Sequence, residues 1–329
     1  MTNLPKKQRF LPFAFAALLG TLLLATAVPT QAGPLLDRIK QHILERRDAV
    51  GAEDALENPD GSAVSDSKLR VLRDIPYGND PKQRMDVYLP EATGTIAAPV
   101  IFMVHGGGWR TGDKRYSNVV DNKANRWVAK GFVLVSVNNR LLPEADPLDQ
   151  VRDVARALAA AQAKAAGWGA DPKQFVLMGH SAGAHLVGLL SSSSLYGPQA
   201  GALPWLGSVL LDSAALDVAP IMKERHFKLY DPAFGTDPEF WKAASPYQQL
   251  HAGAKPMLAV CSTRREESCA QATAFGTRAQ GLGVRVQTLG QDMSHSEINK
   301  DLGLPGAYTS AVEQFMGSLS PVLAGVLAR

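Results

Sequence analysis

The stretch VLMGHSAGAHLVGLL at residues 176–190 joins an apolar, strand-like segment to an apolar, helix-like segment through a glycine-containing turn. The centre of the turn, residues 179–183, fits the pattern G-x-S-x-G. In a nucleophile elbow the serine has strained backbone angles, and side chains two positions before and after it would clash. Gly179 and Gly183 stand at those two positions. The sequence therefore predicts that Ser181 is a nucleophile presented at the tip of a strand.

A second glycine-rich turn, HGGGW at residues 105–109, follows an earlier apolar segment. Consecutive glycines leave backbone N–H groups unshielded, which suits the binding of a substrate oxyanion. A phosphate cradle would need the pattern G-x-x-x-x-G-K-[ST], and no such lysine follows here. Two turns with complementary roles favour catalysis over a serine that merely fits a tight junction.

Apolar segments alternate with helical patterns from Leu72 onward. The segments that predict strands are QRMDVYLP, APVIFMV, GFVLVSV, QFVLMG, GSVLLD, KPMLAV and VRVQTLG. Such alternation is typical of an α/β protein with a parallel sheet that helices cover on both faces. We predict one domain over residues 72–329, with a small helical cap at about 219–250 over the carboxyl edge of the sheet.

The N-terminal 71 residues have a different character. Residues 1–32 predict a signal peptide, with basic residues, an apolar run and small residues before a cleavage site after Ala32. An uncleaved membrane anchor is the alternative, because the apolar run approaches the span of a bilayer. Residues 33–71 predict a short amphipathic helix and a polar linker. We therefore expect a periplasmic or secreted protein without stable membrane insertion after cleavage.

The charge of the chain argues against a nucleic-acid partner. The full chain has 34 basic and 31 acidic residues, and residues 1–32 contain three of the basic residues and none of the acidic ones. The remaining chain is therefore close to neutral and has no basic cluster, so nothing in it attracts nucleic acid.

The two cysteines, Cys261 and Cys269, lie in the segment CSTRREESC. In an exported protein they can pair, and we predict a disulfide between them. A zinc site is disfavoured, because the two thiols have no histidine partners nearby.

Several segments together resemble the α/β-hydrolase esterases of the hormone-sensitive-lipase-like and bacterial feruloyl-esterase-like branches. They are HGGGW, NNRLLPEA, GHSAGAH, LDVAPI and YDPAFGTDPEFWKAASP, while YGNDPKQRMDVYLP is similar to the opening strand of the related kynurenine formamidases. The resemblance covers about residues 74–303 and implies the α/β-hydrolase fold. It also implies that the N–H groups of Gly107, Gly108 and Ala182 form an oxyanion hole. No cofactor and no metal are implied.

The catalytic base of such an enzyme is a histidine late in the chain. His295, in DMSHSEIN, is the only histidine beyond the cysteine loop, and we predict it to be the base. His180 and His185 flank the elbow and are expected to point elsewhere.

The acid that orients the histidine has three candidates. The family usually has an aspartate two to four residues after the strand that here reads PMLAVC, but this chain has STRREE there. We prefer Glu267, because it directly precedes Ser268 and Cys269, where a disulfide would fix its loop. Glu266 and Asp212, which ends the preceding strand, are the alternatives.

These residues predict a serine carboxylesterase that hydrolyses small esters with short acyl or aryl groups through a Ser–His–Glu triad. The expected partner is a small-molecule ester, and the oligomeric state is left open. One alternative is an arylformamidase-like amide hydrolase that uses the same triad. The other is an inactive α/β-hydrolase fold that acts as a binding module.

Overall fold

The structure is a computed structural model that describes residues 69–91 and 97–329. The predicted signal peptide at residues 1–32 and residues 33–68 of the predicted helix and linker lie outside the described residues.

One eight-stranded sheet dominates the described part of the chain, in the order β1-β2-β4-β3-β5-β6-β7-β8. The strands are β1 Arg70–Pro76, β2 Arg84–Leu89, β3 Ala98–Val104, β4 Val133–Val137, β5 Ala170–His180, β6 Gly207–Leu211, β7 Met257–Ser262 and β8 Val286–Gln291. β3 to β8 pair in parallel, whereas β1 pairs antiparallel with β2 and β2 antiparallel with β4. The mostly parallel sheet of the sequence prediction is confirmed.

Strand β1 begins within the segment predicted to be a linker, and its sequence did not indicate a strand. Arg73 and Asp74 interrupt its apolar alternation, and the strand pairs on one side only, at the edge of the sheet. Both residues bind the fully buried Asp86 of β2: Arg73 Nη1 donates to Asp86 Oδ2 at 2.8 Å, and the Asp74 N–H donates to Oδ1 at 2.8 Å. The charge of Arg73 thus pairs with a buried carboxylate, and the backbone N–H of Asp74 adds a second hydrogen bond to it.

Helices cover the sheet. They are α1 Ser117–Lys123 with a π-helical continuation Ala124–Val128, α2 Pro147–Lys164 with a 3₁₀ turn Ala165–Trp168, α3 Ala182–Ser192, α4 Tyr196–Gln199, α5 Val218–Lys223, a 3₁₀ turn Lys228–Tyr230, α6 Asp231–Phe234, α7 Pro238–Ala244, α8 Pro246–Gln249, α9 Glu266–Gly281, α10 His295–Lys300, α11 Ala307–Gly317 and α12 Pro321–Leu327. None of the helices in residues 69–91 and 97–329 is long and apolar enough to cross a membrane.

The sheet separates two apolar cores. Successive residues of β3 alternate between them. Phe102 belongs to the core that includes residues of α2, α3 and α9, whereas Ile101 and Met103 belong to the core that includes residues of α1, α11 and α12. This alternation follows from the opposite directions of neighbouring side chains in a strand. Both faces of β3 are buried, which explains its continuous apolar sequence.

Helices α5 to α8 lie between β6 and β7 in the sequence, in the region predicted to be a cap. Aromatic residues fasten this region to the turn after β3. The rings of Trp109 and Phe234 lie 4.9 Å apart, and those of Trp109 and Tyr230 lie 5.8 Å apart. The aromatics of α6 and the preceding turn therefore act as packing residues against the glycine-rich turn.

Candidate active site

The four strand ends of β5, β6, β7 and β8 are followed by Ser181, Asp212, Arg265 and His295, respectively. These strands are neighbours and parallel, so their carboxyl ends lie along one edge of the sheet. Ligand sites of open α/β sheets form at this edge.

Ser181 has the backbone strain expected of a nucleophile elbow. Its φ and ψ are 54° and −118°, and its N–H donates to Leu211 O at 2.9 Å. The glycines on either side are needed because the backbone approaches itself closely. A Cβ on Gly179 would lie 2.3 Å from Gly183 O, and a Cβ on Gly183 would lie 2.3 Å from His105 O. A side chain at either position would therefore force the turn open.

A small cavity of about 20 Å³ lies beside Ser181. Its lining comprises His105, Gly106, Gly107, Gly112, Tyr116, Asn118, Val119, His180, Ser181, His295, Ser296 and Asn299. The predicted nucleophile, the predicted base and part of the glycine-rich turn thus line one space. A volume of this size holds one or two water molecules.

The glycine-rich turn needs its glycines for conformation as well as for space. Gly107 and Gly108 have φ of 115° and 57°. The Gly107 carbonyl accepts from the N–H groups of Thr111 at 2.9 Å and Arg110 at 3.1 Å, which fixes the turn. Gly107 lines the cavity, and Ala182 follows Ser181 as the first residue of α3. The N-terminus of a helix favours negative charge.

Asp212 is the carboxylate that contacts His295. His295 Nδ1 lies 2.6 Å from Asp212 Oδ2, and both side chains are buried. Asp212 Oδ1 accepts from the Ser262 N–H at 2.7 Å and from Ser268 Oγ at 2.5 Å. Burial by itself would raise the pKa of Asp212. The hydrogen bond from His295 and the charges of His295 and Arg265 outweigh burial and hold this pKa well below its usual range.

The prediction that Glu267 contacts His295 is wrong, and so is the alternative Glu266. Helix α9 begins at Glu266, so both glutamates lie in its first turn. Glu267 Oε1 instead lies 3.6 Å from Arg265 Nε, with 37% of its side chain exposed. Asp212, the third candidate, occupies the place beside His295. Its φ of 54° turns the chain sharply at the end of β6.

The loop after β7 contributes two groups that the sequence did not single out. Arg265 Nη1 lies 2.6 Å from Asp212 Oδ2 and 2.6 Å from His295 Nδ1, and Ser268 is the Oγ donor to Asp212. The predicted disulfide between Cys261 and Cys269 is confirmed and closes this loop. The disulfide therefore encloses groups that hold Asp212, rather than a glutamate that serves as the acid.

His180 lines the cavity, so the expectation that it points elsewhere is wrong. Its ring centroid lies 4.4 Å from that of His295, and its Nε2 lies 3.0 Å from His295 O. Because a carbonyl oxygen only accepts, Nε2 carries the proton. Burial and the neighbouring charge of His295 hold the pKa of His180 well below its ordinary value. His180 is thus a neutral residue that supports the His295 backbone.

His185 does point away from the cavity. Its Nε2 donates to Ala244 O at 2.7 Å, and its Nδ1 accepts from Trp109 Nε1 at 3.1 Å. Burial lowers the pKa of His185 to about 4, so it stays neutral and links α3, α7 and the glycine-rich turn. Among residues 69–91 and 97–329, no group of three His, Cys, Asp or Glu side chains is placed to hold a metal ion.

The sequence of this chain is similar to those of several proteins named as esterases. A family model described as BD-FAE matches residues 85–196, about a third of the chain. The probable isoprenylcysteine alpha-carbonyl methylesterase ICME of Oryza sativa subsp. japonica is 32% identical over 118 residues, which are 36% of this chain and 28% of that protein. Esterase LipQ of Mycobacterium tuberculosis is 28% identical over 225 residues, 64% of this chain and 53% of that protein.

The kynurenine formamidase of Danio rerio is 30% identical over 162 residues, 49% of this chain and 52% of that protein. The chain thus spans between about a quarter and a half of the length of these three relatives.

Solved structures agree with the fold. Esterase B of Lactobacillus Rhamnosis superposes with a TM-score of 0.66 at 17% identity, covering 88% of this chain and 96% of that chain. Carboxyl esterase 2 of Tuber melanosporum gives a TM-score of 0.64 at 21% identity, covering 86% and 99%. The chain has the α/β-hydrolase fold, as predicted. The resemblance to α/β-hydrolase esterases that the sequence motifs indicated is confirmed by the relatives named as esterases.

Proposed function

We propose that the protein is a serine carboxylesterase that uses Ser181, His295 and Asp212. The contact between His295 Nδ1 and Asp212 Oδ2 carries the proposal, because it orients the imidazole in a cavity that Ser181 also lines. A carboxylate at Nδ1 keeps the proton there and leaves Nε2 free to act as base. The esterases among the relatives support the same reaction class.

The reaction runs in two halves. His295 Nε2 takes the hydroxyl proton of Ser181 while Oγ attacks the ester carbonyl carbon. The N–H groups of Gly107, Gly108 and Ala182 stabilise the resulting oxyanion, and each such donor contributes about 3 kcal/mol. His295 then protonates the leaving alkoxide, and the alcohol departs. Water then attacks the acyl-enzyme with His295 again as base. The carboxylic acid product leaves, and the hydroxyl of Ser181 is restored.

The size of the cavity favours a small group on one side of the scissile bond. A space of about 20 Å³, enough for one or two water molecules, favours an acyl group of only a few atoms, such as formyl or acetyl. Polar lining residues such as Tyr116 and Asn118 suit a small, polar fragment better than an alkyl chain. We therefore infer that short acyl esters are the preferred substrates.

Hydrolysis of p-nitrophenyl esters from acetate to decanoate by the full-length chain tests the proposal. We expect the highest kcat/KM with acetate and a decline with chain length. Ser181→Ala is expected to abolish turnover and covalent labelling by a fluorophosphonate. Absence of labelling at Ser181 in the folded wild type would overturn the esterase assignment and favour the inactive binding module.

An arylformamidase is the second candidate, because a kynurenine formamidase is among the relatives. A formyl group fits the same small cavity, and the same three residues would attack its carbonyl carbon. N-formylaniline and phenyl acetate, compared at equal concentration, separate the two activities. A higher kcat/KM for the amide would favour the formamidase.

We also propose that the protein is exported, since residues 1–32 have the composition of a signal peptide. The disulfide between Cys261 and Cys269 supports this proposal, because disulfides persist in oxidising compartments. Mass spectrometry of the protein from its natural host tests it, with an N-terminus at Gly33 as the expected result. An intact N-terminus would contradict the proposed cleavage.

A further inference from the structure

An arginine lies directly beside the Asp212–His295 pair. The loop after β7 supplies Arg265, and its Nη1 lies 2.6 Å from Asp212 Oδ2. The same carboxylate oxygen lies 2.6 Å from His295 Nδ1. Two nitrogen groups therefore share one carboxylate oxygen, and one of them is a permanent cation.

Arg265 is held firmly in this place. It precedes α9 directly, inside the loop that the Cys261–Cys269 disulfide closes. Its side chain is 25% exposed, and its Nε lies 3.6 Å from Glu267 Oε1. Burial opposes its charge, but the contact with Asp212 raises the pKa of Arg265 above its usual value. The guanidinium is therefore a permanent cation.

We propose that Arg265 is a positioning residue that sets the lower pH limit of activity, because it fixes Asp212 Oδ2 toward His295 and its charge opposes protonation of the imidazole. This inference rests on the proposed function. An imidazole that takes up a proton in the resting enzyme cannot act as base. Because like charges repel, we expect loss of the guanidinium beside Nδ1 to favour that uptake and so to remove the base at a higher pH.

Other charged and titratable groups surround the pair, but they differ in kind from Arg265. Those that act on Asp212, His295 or Arg265 are His180 at the end of β5, Glu267 in α9, Tyr230 in the cap and Tyr308 in α11. Further out, Lys123 in α1 acts on His180, Asp301 after α10 acts on Tyr308, and Glu297 in α10 bonds Ser294 and Arg264. Arg265 is the cation in direct contact with both Asp212 and His295. Its removal changes the charge at the pair itself.

Three substitutions separate charge from hydrogen bonding. Arg265→Met removes both, Arg265→Gln keeps a donor without charge, and Arg265→Lys keeps the charge. We expect the acid limb of the kcat/KM profile to move up by about one pH unit in the Met and Gln variants. In the Lys variant the limb is expected to stay within about 0.3 unit of wild type, and KM is expected to change by less than about twofold in all three.

Arg285→Met is the matched control. Arg285 Nη1 donates to Ser318 Oγ at 3.0 Å, and neither residue belongs to the Asp212–His295 pair or its contacts. Its acid limb is expected to match wild type. An unchanged limb in both the Met and Gln variants would overturn the inference. A shift in the Lys variant as large as in the Met variant would also overturn it, since charge would then not be the cause. If the Met variant does not fold, the acid limbs of the Gln and Lys variants are compared instead, and equal limbs in these two would overturn the inference.

A second readout does not depend on ester hydrolysis. The pH titration of His295, followed by NMR of ¹⁵N-labelled protein, is expected to have a higher midpoint in Arg265→Gln than in wild type. A shifted titration without any fluorophosphonate labelling would uphold the role of Arg265 toward His295 and overturn only the esterase assignment. An unshifted titration of His295 in an Arg265→Gln variant of an active esterase would uphold the esterase assignment and overturn the role of Arg265.

Discussion

Asp212 Oδ2 and His295 Nδ1 lie 2.6 Å apart, although 83 positions separate the two residues in the sequence. The contact forms because β6 and β8 flank β7 in one parallel sheet, so the loops after all three strands meet at the same edge. The orientation of His295 is therefore a property of the sheet order rather than of any local motif.

Asp212→Asn is expected to lower kcat by about 10⁴-fold while leaving the fold intact. An amide cannot hold the proton on Nδ1, and Arg265 Nη1, 2.6 Å from Nδ1, would then donate to that nitrogen. The remaining proton would sit on Nε2, where it blocks the base. Steady-state kinetics on p-nitrophenyl acetate measures the loss, and circular dichroism confirms folding.

Glu267→Gln is the matched control for that substitution. Glu267 contacts Arg265 at 3.6 Å and is partly exposed, so we expect kcat to stay within about twofold of wild type. A loss in Glu267→Gln as large as in Asp212→Asn would contradict the assignment of the acid.

Local pattern was sufficient to select two residues that the structure places on one cavity, Ser181 and His295. Ser181 has glycines two positions away on both sides, and His295 is the only histidine after the cysteine loop. Asp212 was harder to assign, because both it and Glu267 follow apolar strands. The choice between them depends on the backbone turn at Asp212, with φ 54°, and on the start of α9 at Glu266. Neither the turn nor the start of the helix has a distinct sequence signal.

Strand β1 and Arg265 escaped detection for a related reason. Arg73 interrupts the apolar alternation of β1, yet its side chain binds the buried Asp86 of β2. In STRREE the sequence analysis considered only the two glutamates, yet Arg265 is turned toward the carboxylate of Asp212, which follows another strand. In both cases a charge was placed by a partner distant in sequence.

Replacement of both cysteines by serine is expected to lower the free energy of unfolding by about 2–3 kcal/mol. The bond closes a loop over a sequence separation of 8, and the chain-entropy model gives this magnitude for such a loop. Because the loop also holds Arg265 and Ser268 against Asp212, kcat is expected to fall at temperatures where the variant is fully folded. Urea unfolding and kinetics at 15 °C separate the two effects.

Ser268→Ala tests the same loop with the disulfide intact. It removes one donor to Asp212 and is expected to lower kcat in the same direction as the double cysteine variant. Wild-type kcat in both variants would show that the loop contributes to stability alone.

Gly183→Ala is expected to destabilise the fold by about 3 kcal/mol and to abolish labelling of Ser181. A Cβ at this position would lie 2.3 Å from His105 O and 2.4 Å from Val104 O, and backbone atoms of a central strand cannot move aside. Gly281→Ala is the control, since nothing lies within 4 Å of its Cβ position. A Gly183→Ala variant with wild-type stability and labelling would contradict the close packing of the elbow.

Lys123 is fully buried in α1, and its ammonium bonds only neutral oxygens among the described residues. Nζ donates to Asn299 O at 2.6 Å, to Asn299 Oδ1 at 2.9 Å and to Asn118 O at 3.2 Å. Burial lowers the pKa of Lys123 to about 7, although the charges of Asp121 and Asp301 partly oppose this. The three donors of the ammonium match the three oxygens, and two of these belong to Asn299 in the last turn of α10, the helix that begins with His295.

The depressed pKa of Lys123 gives stability a definite pH dependence. In the unfolded chain a lysine keeps its proton up to about pH 10.4. Between pH 7 and that value the unfolded chain therefore binds one more proton than the folded chain, and stability rises with pH by at most about 1.4 kcal/mol per unit. Lys123→Met abolishes this contribution, so the stability difference between wild type and variant is expected to grow in favour of wild type from pH 7 to 9.5. Urea unfolding at four pH values measures this difference in stability.

Lys130→Met, which removes a half-buried lysine bonded to Leu327 O at 2.8 Å, is the control, and its difference in stability from wild type is expected to stay constant with pH. A constant difference for Lys123→Met as well would mean that Lys123 keeps its proton in the folded protein up to the same pH as in the unfolded chain.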